Sequence, residues 1–385
     1  MNLFRIIRIL LFVLCLVGSD AAAQMDSTAV ADSLLLLQLQ RSMQQAAPSI
    51  QQQPAPRSSL STNPDISAIG DFRSSYTTIG KRKVETYFNE LELQVVSVVD
   101  PYARAEFLFS FGKDLNTGEL GIELEVATLT SLSLPYQLQL TLGKFKPVFG
   151  KVNILHPHYF SFVDFPRVIN NYFDSEGMFM EGASISWLVP NPYDFYQELT
   201  FEVGRAGSEP NASLVPGETD QLLCVGHLKN FFDLSQNSTL EIGFSGLTGP
   251  NRFGFSTFIG GVDLTYKWKP VRYNVLQSFT WQSELLIANM RSTDAEVLRT
   301  NGGFSFIEYQ FEKRWFLGAR YDFSGFPDDA TRKEQAASLL LRFQPTEFQI
   351  FTLEYRFTDR NYDRDFSQVL LRAIFGIGTH AAHQY

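Results

Sequence analysis

The chain has 385 residues and is acidic, with 32 Lys and Arg against 41 Asp and Glu and a formal net charge of −9. It therefore lacks the basic footprint of a nucleic-acid-binding protein, and no nucleic-acid partner is expected. Its 35 Phe and 15 Tyr are many for a soluble protein and are typical of a lipid-facing band with aromatic girdles.

The N-terminal segment, residues 1–23, has the pattern of an export signal. Arg5 and Arg8 precede an apolar run that ends near Ala21-Ala22-Ala23, which predicts a signal peptide cleaved before Gln24. Leu14 precedes Cys15 where a lipoprotein signal needs a small residue, so no lipid anchor is predicted. Cleavage leaves Cys224 as the sole cysteine and excludes an intramolecular disulfide.

Residues 24–62 are rich in Gln, Ser, Ala and Pro, which predicts a flexible periplasmic tail. Ser33 to Gln44 within it has the spacing of a short helix and too few heptads for a coiled coil.

From about residue 63 to Tyr385, sixteen stretches of about ten residues alternate apolar with polar side chains. This pattern predicts an all-β fold, a closed antiparallel transmembrane β-barrel of about 16 strands over residues 63–385. The strands are predicted near residues 65–76, 86–99, 102–111, 120–130, 136–145, 178–189, 195–206, 222–232, 239–247, 257–268, 271–286, 302–311, 314–323, 336–344, 347–357 and 367–377. Short turns follow the even-numbered strands, so both termini are expected in the periplasm. Long loops are expected near residues 77–85, 112–119, 146–177, 207–221, 248–256, 287–301, 324–335 and 358–366.

Alternation assigns each strand an apolar and a polar face, because successive side chains point in opposite directions. The apolar face is expected to contact lipid and includes Leu91, Phe107, Leu140, Leu142 and Leu353. The charges expected on the pore wall are Glu90, Glu92, Arg104, Glu106, Glu123, Glu125, Arg320, Arg342, Arg356 and Arg372. A secreted β-sandwich has the same period with the apolar face inside; the export signal, regular strand length and even strand count favour the barrel.

Carboxylates dominate the second to fourth strands, and arginines gather on the thirteenth to sixteenth. Closure of the barrel would bring these sectors close together. Their charges either orient polar solutes in the pore or pair and stiffen the wall. Because wall acids outnumber wall bases, we expect a weak preference for cations.

The third long loop, residues 146–177, is unusually aromatic for an exposed loop, with Phe160, Phe162, Phe165, Tyr172 and Phe173. These rings need a surface to bury against, which favours a loop folded inward onto the barrel wall.

With this loop, the chain resembles general and phosphate-selective trimeric porins, whose third loop narrows the lumen. The stretches Asn63–Phe72, Leu142–Gly150 and Phe375–His380 also resemble a porin-like outer-membrane family of Bacteroidota and related phyla. Some members of that family are labelled zinc-regulated TonB-associated proteins. The resemblance implies a homotrimer and a constriction formed by Lys144, Lys146, Lys151, Asp164, Arg167, Asp174 and Glu176. The final Tyr385 is similar to the signal read by the barrel-assembly machinery.

Metal and enzyme sites have little support in the sequence. His156 and His158 are the candidates for a metal with Asp164, but two histidines are fewer than the usual three protein ligands, so no metal site is predicted. There is no Gly-x-Ser-x-Gly motif, and alternation pairs no strand Ser with a strand His. No cofactor and no enzymatic activity are expected.

The sequence therefore predicts an outer-membrane porin that contacts lipid and passes small hydrophilic solutes or ions by passive diffusion. The alternative is a non-conducting barrel that acts as a receptor, an adhesin or a structural protein.

Overall fold

A computed structural model describes residues 64–80, 83–113, 120–193, 195–207, 213–215, 221–273 and 275–378. The strands, β1 to β16 in chain order, are Asp65–Thr77, Val84–Asp100, Ala103–Lys113, Leu120–Ser131, Leu138–Phe145, Met180–Leu188, Tyr196–Ala206, Leu223–Ser235, Ser238–Pro250, Ser256–Trp268, Ser278–Arg291, Val297–Glu312, Trp315–Phe326, Asp329–Thr346, Gln349–Arg360 and Phe366–Gly378. The predicted signal peptide, the tail with its short helix and the terminal Tyr385 lie outside the described residues.

The sixteen strands form one closed antiparallel barrel. Each strand pairs with its neighbours in the chain, and β16 closes the ring on β1, where Ser67 lies opposite Gly378 and Arg73 opposite Arg372. Every strand thus has two partners, and no edge is left to pair with another chain. The predicted fold, a closed antiparallel barrel of sixteen strands, is confirmed.

The two faces of the barrel wall are inverted relative to a soluble protein. On β15, Phe351, Leu353 and Tyr355 are exposed, while Thr352, Glu354 and Arg356 between them are buried. An outward row continues across the ladder, since Leu353 lies opposite both Leu341 and Leu371, which are also exposed. We call the buried side of the strands the inner face and the exposed side the outer face.

A β-bulge at Glu125 interrupts the alternation of β4. Leu108 of β3 lies opposite Val126, and the next residue, Phe109, lies opposite Leu124, so Glu125 is the extra residue. Both Glu125 and Val126 are buried. A bulge places two residues against one and shifts the faces beyond it, which alternation alone does not reveal.

Three predicted bounds are wrong. Strand β11 was expected from residue 271, but Val271–Tyr273 forms a 3-10 turn and β11 begins at Ser278. Pro270 lacks the N–H that would continue a ladder, and its carbonyl instead accepts a hydrogen bond from the Tyr273 N–H. The loops expected at 287–301 and 324–335 are mostly strand, with connections of only 292–296 and 327–328. Their polar residues pair as regularly as apolar ones, as Asn289 does with Arg299.

Between β5 and β6 the chain forms a 3-10 turn, Pro157–Tyr159, and a short helix α1, Arg167–Tyr172. In the part of the chain that the structure describes, no helix is long and apolar enough to cross a membrane.

Candidate functional site

The connection between β5 and β6, residues 146–179, is held by carboxylates of the inner face. Glu284 of β11 accepts the backbone N–H groups of Lys151 and Val152 through one oxygen, Oε1, at 2.8 and 2.7 Å. Three further carboxylates each accept one backbone N–H of this long connection, at 2.8 to 3.1 Å: Glu202 of β7 from Val148, Glu354 of β15 from Val163, and Asp322 of β13 from Arg167. Four strands spread around the ring therefore bind the main chain of one segment.

One glycine permits the contact with β11. Gly150 has a φ of +62°, and a Cβ there would lie 2.6 Å from Glu284 Oε2. Only glycine combines this backbone conformation with so close an approach.

Apolar side chains of the long connection pack against an apolar sector of the inner face. Phe162 meets the ring of Phe306 of β12 edge-on, with centroids 5.2 Å apart. The strand members of this buried cluster on β8 to β14 are Leu223, Val225, Leu247, Ile259, Leu286, Ala288, Phe304, Phe306 and Leu340. These apolar side chains point to the same side of their strands as the polar wall residues. They were not among the residues predicted for the inner face.

Helix α1 packs closely against β12. Val168 lies next to Gly302, where a Cβ would approach within 2.7 Å of the valine side chain. Tyr172 is fully buried, its hydroxyl lies 3.2 Å from Thr300 Oγ1, and burial raises the pKa of its phenol to about 12.

Ion pairs join eight charged residues where the last strands meet β1. We call this group the seam network, and it consists of Asp71, Arg73, Asp164, Arg320, Asp322, Glu354, Arg356 and Arg372. Seven members belong to β1, β13, β15 and β16, and Asp164 alone belongs to the long connection.

Asp164 receives hydrogen bonds from three arginines. Its carboxylate oxygens lie 3.2 Å from Arg73 Nη1 and 2.8 Å from Arg356 Nη1, and its backbone carbonyl accepts from Arg320 Nη1 at 2.9 Å. Partial burial favours protonation, but the charges of Arg356 and Arg73 outweigh it and hold the pKa of Asp164 well below its usual range. The carboxylate is therefore ionised, and 32% of the side chain remains exposed.

Arg372 of β16 links the seam network to the backbone of the long connection. Its Nη1 donates to the carbonyl of Pro157 at 2.8 Å and lies 3.4 Å from those of Phe162 and Val163. Its other two nitrogens bind Asp71.

The two loop histidines face carboxylates of β2 and β4. His156 Nδ1 lies 3.0 Å from Glu125, His158 Nδ1 lies 2.9 Å from Glu92, and the rings are stacked with centroids 6.0 Å apart. Glu90, two residues before Glu92, is also buried. Within the described ranges, no three His, Cys, Asp or Glu side chains form a group that would hold a metal ion.

Lys146 and Glu176 lie close to Glu125, the partner of His156. Lys146 Nζ donates to the backbone carbonyl of Glu176 at 2.7 Å and lies over the ring of Phe179 at 4.7 Å. Burial lowers the pKa of Lys146, and the charges of Glu125 and Glu176 oppose that shift. Burial raises the pKa of Glu176 to about 7, and the charges of Glu125 and Glu90 add to it.

The other predicted constriction residues have partners on four different parts of the chain. Lys151 Nζ pairs with Glu241 at 2.8 Å, and Lys144 Nζ pairs with Glu123 at 3.4 Å. Arg167 Nη2 donates to Thr358, and Asp174 accepts the N–H of Ser175. The seven predicted residues thus have different partners, and a constriction formed by them stays a prediction.

The predicted wall charges divide by exposure. Glu123 and Arg104 are 54% and 42% exposed, and Glu106 lies 3.6 Å from Arg104. Arg342 pairs with Glu308 at 2.6 Å. The remaining predicted wall charges are buried: Glu90, Glu92, Glu125, Arg320, Arg356 and Arg372.

The structure corrects the expectation that no strand Ser meets a strand His. His227 of β8 lies opposite Ser245 of β9, and its Nδ1 is 2.8 Å from Ser245 Oγ. Register between strands, which alternation does not fix, brings them together. Ser245 Oγ also accepts the backbone N–H of Gly150, so its contacts include a structural one to the long connection.

The fold is a closed barrel of sixteen antiparallel strands whose inner face binds one long connection. Three solved structures share this fold at 10% sequence identity. They are an anion-selective porin from Comamonas acidovorans (TM-score 0.56, covering 82% of this chain and 99% of that one), the outer membrane channel DcaP of Acinetobacter baumannii (0.57, 82% and 97%) and the trimer form of OmpT of Vibrio cholerae (0.52, 82% and 99%).

An uncharacterized protein of Aquifex aeolicus is 27% identical over 402 residues, which cover 86% of this chain and 82% of that protein. No protein-family model matches the chain. The resemblance to porins is thus supported at the level of the fold, and the resemblance to the zinc-regulated family of Bacteroidota stays a prediction.

Proposed function

We propose that the protein is an outer-membrane porin that passes small hydrophilic solutes or ions by passive diffusion. The apolar outer face supports this proposal, because a closed barrel with lipid-facing Leu, Phe and Tyr satisfies all backbone groups within a bilayer.

The observation that carries the proposal is the binding of one long connection by the inner face. Backbone N–H groups of residues 148–167 bond to carboxylates of β7, β11, β13 and β15, and Arg372 of β16 bonds to its carbonyls. We infer that residues 146–177 fold into the lumen and narrow it.

Charged side chains that stay exposed on the inner face support a remaining water-filled passage. Glu123 and Arg104 are both about half exposed, and Asp164 is one-third exposed. The exposed charges have both signs, so we expect the passage to discriminate weakly between cations and anions.

The setting of the barrel follows from the same proposal. Residues 1–23 are removed on export, residues 24–62 form a periplasmic tail, and both termini are periplasmic. The barrel-assembly machinery inserts the chain, and three copies associate as a homotrimer.

Planar-bilayer recording of the purified protein tests this function. We expect discrete conductance steps in potassium chloride. A variant with residues 152–172 replaced by a short Gly-Ser linker should conduct more, because the segment that narrows the lumen is gone. If the wild type conducts and the linker variant has the same conductance, the protein is a porin but residues 146–177 do not narrow its lumen.

The non-conducting alternative is favoured by one observation, the apolar packing between the long connection and β8 to β14. Phe149, Val152, Val168 and Tyr172 are fully buried in that cluster, and such contacts exclude water. A wild type that is silent while the linker variant conducts would support a barrel closed by its own connection.

A further inference from the structure

The strand residues of the seam network carry one more positive than negative charge. Its arginines on the strands are four, Arg73, Arg320, Arg356 and Arg372, whereas Asp71, Asp322 and Glu354 supply three negative charges. Asp164 of the long connection supplies the fourth. The seam network is thus neutral only when the carboxylate of Asp164 is in place.

The position that Asp164 occupies has the geometry of a carboxylate site. Two guanidinium groups from different strands, Arg73 of β1 and Arg356 of β15, each donate to a separate oxygen of the carboxylate. Both arginines are themselves oriented by wall carboxylates, Arg73 by Asp71 at 2.7 Å and Arg356 by Glu354 at 2.6 Å. A pair of arginines held in this way is preorganised for planar recognition of a carboxylate.

A fully buried donor lies at the same place. Arg320 Nη2 has no hydrogen-bond partner among the described residues, although the neighbouring Nη1 binds the carbonyl of Asp164. Buried guanidinium nitrogens are ordinarily satisfied. Nη2 lies 3.9 Å from Glu354 Oε1, an ion pair beyond hydrogen-bond distance, so one buried donor beside Asp164 is left without a hydrogen bond.

The exposed part of Asp164 makes the site accessible from water. The side chain is 32% exposed, whereas Arg356 is 3% and Asp71 1% exposed. A solute that reaches the carboxylate from the open side therefore meets a position that is charged, oriented and filled by a tethered group.

We propose that Arg73 and Arg356 form a binding site for the carboxylate of a small solute, and that Asp164 is its resident competitor. This inference deepens the proposed function by naming a solute class. A monocarboxylate matches the single excess charge of the seam network, whereas inorganic phosphate, which carries more than one negative charge on average at pH 7, exceeds it.

The tether sets the strength of the competition. A group linked to the chain competes at an effective concentration on the order of millimolar or higher. Solute carboxylates must therefore bind the wild type weakly, and removal of the Asp164 side chain must expose the full affinity of the arginines.

Binding of carbon-13-labelled acetate, followed by NMR line broadening on the purified barrel in detergent, tests the proposal. Asp164→Ala should bind acetate at least about tenfold more tightly than the wild type, a difference of ~1.4 kcal/mol. Asp174→Ala is the matched control, because Asp174 lies on the same connection and accepts only the N–H of Ser175 in the described contacts. It should bind acetate as the wild type does.

Equal binding by Asp164→Ala and Asp174→Ala would overturn the proposal, as would tighter binding of inorganic phosphate than of acetate by Asp164→Ala. Folding is checked by the heat-dependent gel mobility of the barrel. Asp164→Asn provides a second measurement if the alanine variant does not fold: it keeps the shape, removes the charge and should shift the reversal potential towards anions, and an unchanged potential refutes the excess charge.

The binding measurement does not require conduction. A silent wild type with tight acetate binding by Asp164→Ala would refute the porin and leave the site standing. A conducting wild type, without tight acetate binding by Asp164→Ala, would support the porin and refute the site.

Discussion

Arg372 and Asp71 form a two-pronged ion pair across the junction of the last and first strands. Nε and Nη2 of Arg372 lie 3.1 and 2.9 Å from the two oxygens of Asp71, and both side chains are only 1% exposed. The same arginine binds three carbonyls of the long connection. One side chain therefore stabilises both barrel closure and the docked connection.

Arg372→Ala should be strongly destabilising, because removal of one partner of a buried ion pair costs about 3–5 kcal/mol. Urea unfolding of the purified barrel measures the change in the free energy of unfolding. Arg104→Ala is the control, since its pair with Glu106 is 3.6 Å long and 42% exposed on the arginine side, and such pairs contribute about 0–1 kcal/mol. Similar losses for the two variants would contradict the role of the junction.

Glu284 offers a test of how the carboxylates hold the connection. Glu284→Ala leaves the N–H groups of Lys151 and Val152 without an acceptor, at a cost of about 1–3 kcal/mol for each buried donor. Glu284→Gln keeps an acceptor oxygen and should lose less. Limited proteolysis within residues 146–177 is the measurement, and cutting is expected in the alanine variant first. If the glutamine variant is cut at least as fast as the alanine variant, the charge of Glu284, and not its acceptance of the N–H groups, holds the segment.

The raised pKa of Glu176 predicts that docking of the long connection depends on pH. Its pKa in the docked connection is about 7, above the usual value of 4.5, so the docked state binds a proton that the undocked state releases. Docking is therefore favoured at low pH, and this contribution is lost as pH rises through about 7.

Conductance noise or protease sensitivity should accordingly be greater at pH 8 than at pH 5. Glu176→Gln should reduce the difference, whereas Asp174→Asn should preserve it. A pH response of undiminished size in Glu176→Gln would assign the titration to other groups.

The faces of β5 predict different outcomes for neighbouring substitutions. Leu140 lies opposite the outward Ile185, and Gln139 lies opposite Ser186. An arginine on the lipid face costs about 2–4 kcal/mol at the bilayer midplane. Leu140→Arg should reduce insertion into outer membranes while Gln139→Arg inserts normally, and equal yields of membrane-inserted protein would place β5 in the other register.

Topology is tested on intact cells. The connection between β7 and β8 emerges at the same end of the barrel as the long connection, because each follows an odd-numbered strand. An epitope placed between Pro210 and Gly217 should bind antibody from outside, and one at residues 45–55 should not. If antibody labels the N-terminal epitope on intact cells, the barrel has the opposite orientation in the membrane.

Alternation was sufficient to predict the strands and most faces. Leu353 and Glu354 are typical, since one exposed apolar and one buried charged neighbour follow from the strand period of two. The bulge at Glu125 was not predictable, because an extra residue is defined by its partner strand. Phe306 was missed for a related reason: an inward aromatic residue needs a partner, and Phe162 lies far away in sequence.

The sequence predicted which segment contacts the barrel wall, but not which residues of that segment and of the wall pair with each other. The aromatic residues of 146–177 indicated burial, and the loop does contact the wall through Phe162 and Tyr172. The pairing of Asp164 with Arg73 and Arg356 depends on closure of the ring, which no local pattern encodes. The sequence count of wall charges was also misleading, since Glu92 and Glu354 are covered and do not face open water.

The seam network also sets an order of events during biogenesis. Partners of the long connection lie far along the chain: Glu354 follows Val163 by 191 residues, and Arg372 follows Pro157 by 215. Glu354 lies on β15 and Arg372 on β16, so these partners belong to the last two strands of the chain. The contacts of the aromatic segment with Glu354 and Arg372 therefore form only once the last two strands are in place.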